Sequence, residues 1–159
     1  MPEPAPIGRL TILGRPVTKK NSQKPIWVRG KLRIIPSKAY RSWIGGAKLQ
    51  AQAQWFGHGH KMLVAPVQLR ATIFRAANVG DVDNYLAALF DCLQAARVVE
   101  NDRLIMQATG TLAKDAVRPR VEVELFEMVG MRVELRTVKP RKRRRAVPKL
   151  KLVPPRRRG

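Results

Sequence analysis

Apolar and polar residues alternate over residues 7–13, where Ile7, Leu10 and Ile12 predict a first strand that Gly14 ends. A polar, basic stretch follows, and residues 27–35 then alternate around Gly30 in the manner of a small hairpin. Ser37, just after Pro36, has the chemistry of a helix N-cap. Tyr40, Trp43, Ile44, Ala47 and Ala51 recur at helical spacing, which predicts a helix to about Phe56 with a break at Gly45-Gly46. Residues 57–60 alternate Gly and His and predict a turn; His58 and His60 lack a third ligand nearby, so an exposed turn fits them better than a metal site. Val67, Leu69, Ala71, Ile73 and Phe74 predict a second strand. A second helix follows it, with Leu86, Leu89, Phe90, Leu93 and Ala96 or Arg97 as its inner stripe. Residues 104–112 and 121–128 predict two further strands paired with each other, and residues 131–138 an additional one. The sum is an α/β (α+β) chain: a single compact domain over residues 1–138, with a mixed sheet packed by two main helices.

Charge changes this picture. The chain carries 32 Lys and Arg against 11 Asp and Glu in 159 residues, a formal +21. Such an excess implies a polyanionic partner, and nucleic acid is the first candidate. Eleven of the basic residues lie in residues 139–159 with no acid among them, a composition that predicts a disordered basic tail. No apolar run approaches the roughly 20 residues that span a bilayer, and the N-terminus lacks the pattern of a signal peptide. Cys92 is the single cysteine, which excludes an intramolecular disulfide and suits a reducing cytoplasm. It is expected to be a small buried helix residue.

The acids are clustered. No Asp or Glu occurs between Glu3 and Asp81, and then Asp81, Asp83, Asp91, Glu100 and Asp102 fall within one short window. Carboxylates set into a phosphate-binding surface repel the ligand unless a cation neutralises them, and all-oxygen ligation selects Mg²⁺ or Mn²⁺. If Asp81-Val82-Asp83 is extended, its two carboxylates point to one face and Val82 to the other. Asp83 or Asn84 would then cap the following helix. Asp102 lies beyond that helix and reaches the pair only if the chain turns back. Asp91 shares a helix face with Asn84, a supporting position. The ordinary alternative is that Asp-Val-Asp-Asn is a turn with an N-cap, and Asn101-Asp102 a second turn.

Three elements together resemble the RusA family of Holliday junction resolvases: Asp81-Val82-Asp83-Asn84-Tyr85-Leu86, then Phe90-Asp91-Cys92-Leu93, then Glu100-Asn101-Asp102-Arg103-Leu104-Ile105. Gly14-Arg15-Pro16 and Lys19-Lys20 are similar to the family's opening strand and basic loop. The resemblance spans roughly residues 8–128. It implies a homodimeric, Mg²⁺-dependent endodeoxyribonuclease, often phage- or prophage-encoded, acting in the bacterial cytoplasm in DNA recombination and repair. Such an enzyme nicks branched DNA symmetrically and needs no small-molecule cofactor and no membrane. The resemblance implies Asp81, Asp83 and Asp102 as catalytic metal ligands, supported by Asn84. Two positions depart from it. Ala87 stands where the family has a lysine, and Asn101 where it has the first of two aspartates. Lys114, or Lys19 or Lys20, would then supply the missing cation.

Lys19, Lys20, Lys24, Arg29, Lys31 and Arg33 cluster in the loop and hairpin and are candidate DNA contacts. Trp27 is the tryptophan placed to stack near DNA, and Trp43 belongs to the core. Two rival functions stand beside the resolvase: a non-catalytic basic nucleic-acid binder, and a metal-dependent nuclease of flaps or forks. The first gives no reason for the acidic window. Removal of residues 139–159 should flatten the plot of log affinity against log salt, because fewer counterions are released on binding. Titrations of DNA binding at several salt concentrations measure this, and cleavage at low salt should survive.

Overall fold

The computed structural model describes residues 4–18 and 23–128. Within them the chain runs β1 (Gly8–Leu13), β2 (Gln23–Val28), β3 (Lys31–Pro36), α1 (Lys38–Gly57), β4 (Val67–Arg75), α2 (Val82–Ala95), a 3-10 turn (Asp102–Leu104), β5 (Ile105–Lys114) and β6 (Arg120–Glu127). Four strands form one sheet in the order β1-β6-β4-β5, and β2 and β3 form a separate hairpin. The sheet is mixed: β4 pairs antiparallel with β6 and parallel with β5. This is the α+β arrangement that the pattern predicts. Residues 1–3, 19–22 and 129–159 lie outside the described residues, and with them Lys19, Lys20, the strand expected at 131–138 and the basic tail.

One pairing is corrected. The last two strands are not neighbours, because β4 inserts between β5 and β6. Adjacent strands in sequence usually pair, but a parallel partner for β4 must arrive by a crossover. Helix α2 is that crossover, and it delivers β5 to the far side of β4.

The core lies between the sheet and the two helices. Leu10 and Ile12 of β1, Val67, Leu69, Ala71 and Ile73 of β4, and Val121, Val123 and Leu125 of β6 face it in the alternation of a half-buried sheet. Helix α1 contributes Ala47, Ala51 and Trp55, and α2 contributes Leu89, Cys92 and Leu93. Ser37 caps α1, accepting from the Tyr40 amide at 3.1 Å. The helix does not break at Gly45-Gly46; both glycines are solvent-exposed, and the buried Ala47–Ala51–Trp55 stripe carries the helix through. Trp55 fits only because β1 has Gly8 opposite it, where a Cβ would come within 2.2 Å of the indole ring. The hairpin turns at Arg29-Gly30, both at positive φ (50° and 72°), as a two-residue turn between twisted strands requires. Trp43 is half-buried against the core, as expected.

β1 is an edge strand, and an edge exposes unpaired backbone groups. Helix α1 covers them with two glutamines. The Gln54 amide accepts from the Thr11 N–H (2.9 Å) and donates to the Thr11 carbonyl (2.8 Å). Gln50 does the same for Leu13 at 2.8 and 3.1 Å. Replacing Gln54 by Ala removes two hydrogen bonds at once and should cost about 1–2 kcal/mol of stability, read as a lower urea midpoint with an unchanged slope.

Candidate metal centre and nucleic-acid interface

The loop between β4 and α2 is braced from both sides. The Arg75 guanidinium donates through Nη1 to the carbonyls of Val79 (3.3 Å) and Gly80 (3.0 Å). The Tyr85 hydroxyl donates to the Val79 carbonyl at 2.6 Å. Burial raises the Tyr85 pKa, against the lowering influence of Arg75 and Arg15, so its hydroxyl keeps its proton and remains a donor. Gly80 is at φ +84°, and a Cβ there would meet the Tyr85 ring at 3.0 Å. This position therefore needs glycine for both conformation and space.

Asp81 follows directly and is the N-cap of α2, with extended backbone (φ −94°, ψ 153°). The carboxylate makes no capping bond; the Asp81 carbonyl accepts from the amides of Asn84 and Tyr85 instead. Helix α2 starts at Val82 with Asp81 as its cap, two residues before Asp83 and three before Asn84, the expected caps, so Asp81-Val82-Asp83 is not an extended segment. Asp83 lies in the first helical turn. Both carboxylates are exposed, and neither has a hydrogen bond or ion pair among the described residues. Two carboxylates, separated by one residue, thus stand at the positive end of a helix, where negative charge is electrostatically favoured. Val82 points at the sheet, as expected: a Cβ on Gly110 of β5 would come within 2.4 Å of it.

Asp102 is elsewhere. Its amide donates to the Gln94 side chain, at the opposite end of α2. Helix α2 is 14 residues long, about 21 Å at 1.5 Å per residue. Ile105, just after the 3-10 turn, pairs with Val67 at the start of β4, whereas Arg75 at its end holds the carbonyl before Asp81. Within this chain the three aspartates therefore do not converge, and the described residues contain no group of three metal-binding side chains. β5 does turn back alongside α2, and its last residue, Lys114, pairs with Arg75 at the end of β4. Strand alternation sets Lys114 on the same side of β5 as Gly110, the side that faces α2.

Asn101 caps the 3-10 turn, its side chain accepting from the Arg103 amide at 3.0 Å. Asp91 accepts from the Tyr40 hydroxyl at 3.3 Å, tying α2 to α1; burial, then Asp91 itself, pushes the Tyr40 pKa to about 12. Cys92 is buried, and burial followed by Asp91 pushes its thiol to about 12, which makes it a packing residue and no nucleophile. His60 stacks on Trp55 with ring centroids 4.4 Å apart and joins no metal-binding group among the described residues.

The hairpin has two unlike faces. Trp27 opposite Leu32, and Pro25 opposite Ile34, make one apolar side, with Trp27, Leu32 and Ile34 all exposed. Lys24, Lys31 and Arg33 alternate onto the other side, and Arg29 is at the turn. Among the described residues, no helix is long and apolar enough to cross a membrane.

The sequence reading missed Arg15, Arg75 and Tyr85. The brace that presents Asp81 is built from side chains whose targets are backbone carbonyls, and such contacts leave no spacing signature. Two comparisons with known proteins bear on the site. The chain matches the family described as endodeoxyribonuclease RusA over residues 14–126, more than half of its length. No curated protein matches it.

Replacement of Gly110 by Val would drive a branched side chain into Val82 and lift the first turn of α2. The expected loss is about 1–3 kcal/mol, visible as a lower melting temperature.

Proposed function

Because this chain belongs to the RusA endodeoxyribonuclease family, we propose that it is a Mg²⁺-dependent endonuclease that resolves four-way DNA junctions by paired nicks, working as a homodimer. The observation that carries this reading is the pair of unpartnered carboxylates at the start of α2, set in a strongly basic chain. Mn²⁺ is chemically able to replace Mg²⁺ at an all-oxygen site. Phage or prophage origin, and a place in recombination and repair, are part of the same proposal, supported by resemblance to the family.

Asp81 and Asp83 supply two oxygen ligands for the cation. The third, Asp102, is about one helix length away in the same protomer, so the site is completed by the partner's Asp102. A two-fold axis across the middle of α2 and β5 achieves this, since it sets the N-terminal end of one α2 beside the C-terminal end of the other. The surface available for such pairing suits it: β5 is a sheet edge, Ala87 on α2 and Met106 on β5 are exposed, and Leu86 and Phe90 on α2 are only half-buried. Dimerisation then creates two equivalent sites, as symmetric nicking needs.

A cation held by Asp81 and Asp83 would polarise the phosphodiester and would lower the pKa of the attacking water. Asp81 and Asp83 hold it on a braced loop and a helix end. Lys114 provides positive charge toward the phosphate in place of the lysine absent at Ala87. Lys24, Arg29, Lys31 and Arg33 bind backbone phosphates and set affinity more than sequence preference, and Asn84 and Asp91 support the helix that bears the acids.

Complementation tests the shared site. Asp81→Asn and Asp102→Asn should each bind junctions and fail to nick them in Mg²⁺. Mixing the two and allowing subunit exchange creates heterodimers with one intact composite site. Nicking should return to about a quarter of the wild-type rate for random pairing, whereas sites contained within single protomers would stay silent in the mixture. Cation replacement is tested separately. Lys114→Ala should lower kcat about 100-fold, and adding Ala87→Lys, one turn after Asp83, should recover part of that loss.

A further inference from the structure

A cavity of about 270 Å³ opens beside the loop that presents Asp81, lined by Arg15, Pro16, Val17, Thr18, Ala39, Arg75, Ala76, Ala77, Val79 and Tyr85. Two guanidinium groups share it, and no carboxylate lines it. Arg15 is exposed and has no ion pair or hydrogen bond among the described residues. Arg75 is only partly satisfied: Nη1 is bound to the two loop carbonyls, and Nε is buried with no partner. Both arginines act on the Tyr85 hydroxyl electrostatically, each pulling its pKa down, so the two charges reach the same end of the pocket. The remaining walls are largely apolar, which strengthens any charge-assisted hydrogen bond formed inside.

We propose that this cavity is an anion pocket that holds one backbone phosphate of the substrate DNA through Arg15 and Arg75, next to the phosphate at Asp81. This rests on the nuclease reading for the identity of the ligand. The pocket meets a specific electrostatic need. Asp81 and Asp83 repel DNA in the absence of a cation, and the residue that binds the carbonyl just before Asp81 is Arg75 itself. A phosphate gripped there fixes the strand in register with the acid pair before any metal is bound. Guanidinium geometry suits the task, since a planar fork donates two parallel hydrogen bonds to phosphate oxygens. Apolar walls from Val17, Ala39, Ala76 and Val79 suit the adjoining deoxyribose.

Binding without metal separates this pocket from the nuclease chemistry. A fluorescent four-way junction is titrated in EDTA with the wild type and with Arg15→Gln, a variant at an exposed side chain that leaves the fold intact. The variant should bind about 10-fold more weakly at 0.1 M salt, and the slope of log affinity against log salt should fall by about 0.9, the signature of one lost phosphate contact. Junctions carrying a single uncharged methylphosphonate at successive positions around the nick locate the contact. One position adjacent to the scissile phosphate should weaken the wild type and weaken Arg15→Gln distinctly less, since only Arg75 still holds that phosphate there. Arg75→Gln, checked for folding by circular dichroism, should lose sensitivity at the same position.

Equal affinity and slope in wild type and Arg15→Gln would overturn the pocket, as would a methylphosphonate penalty identical in both. If those results accompany normal Mg²⁺-dependent nicking, the pocket fails and the nuclease stands. If the phosphate contact is found but no junction is nicked in Mg²⁺, the pocket stands and the nuclease reading fails.

Discussion

The layout of this molecule depends on the parallel pairing of β4 with β5. A parallel neighbour obliges the chain to cross from the end of one strand to the start of the next, and α2 makes that crossing over the sheet. The N-terminus of α2 is therefore held at the end of β4, where Arg75 braces the loop, and its C-terminus at the start of β5. Asp81 and Asp83 fall at the first end and Asp102 at the second. β5 then returns along the helix and ends at Lys114, paired with Arg75. The contact of Gly110 with Val82 lets α2 lie this close to β5, so one missing side chain governs where the acids stand.

Backbone satisfaction is the second organising requirement. Gln50 and Gln54 close the exposed edge of β1, while β5, at the other edge, has no such cover from α1 or α2 side chains among the described hydrogen bonds. In the β4–α2 loop the same requirement is met by Arg75 and Tyr85, which occupy the carbonyls of Val79 and Gly80. A carboxylate that follows a loop held in this way is preorganised, and little order remains to be imposed when a cation or phosphate arrives. Arg75 thus serves structure through Nη1, and it is also one of the residues lining the neighbouring cavity.

Much of the architecture is legible in the residues. Helical spacing with a Ser37 cap locates α1, alternation locates β1, β4 and β6, and Gly30 marks the hairpin turn. Where the pattern misleads, a tertiary contact is responsible. Gly45-Gly46 has poor helix propensity, yet buried Ala47, Ala51 and Trp55 hold α1 continuous. Asp81-Val82-Asp83 has strand-like alternation, but the helix begins at Val82 because Asp81 offers its carbonyl to two amides of the first turn. Adjacent strands suggest β5 beside β6, and the α2 crossover separates them.

By itself the sequence determined the fold class, the family pattern, the acidic window within a basic chain and the identity of the acids, because each is a matter of residue type and local spacing. The tertiary structure alone decided which of those residues meet. It paired Lys114 with Arg75, sent Asp102 to the end of α2 opposite Asp81 and Asp83, and assembled Arg15, Arg75 and Tyr85 around one cavity. These are contacts between residues distant along the chain. Strand order and crossover direction govern them, and neither is encoded in the spacing of any single segment.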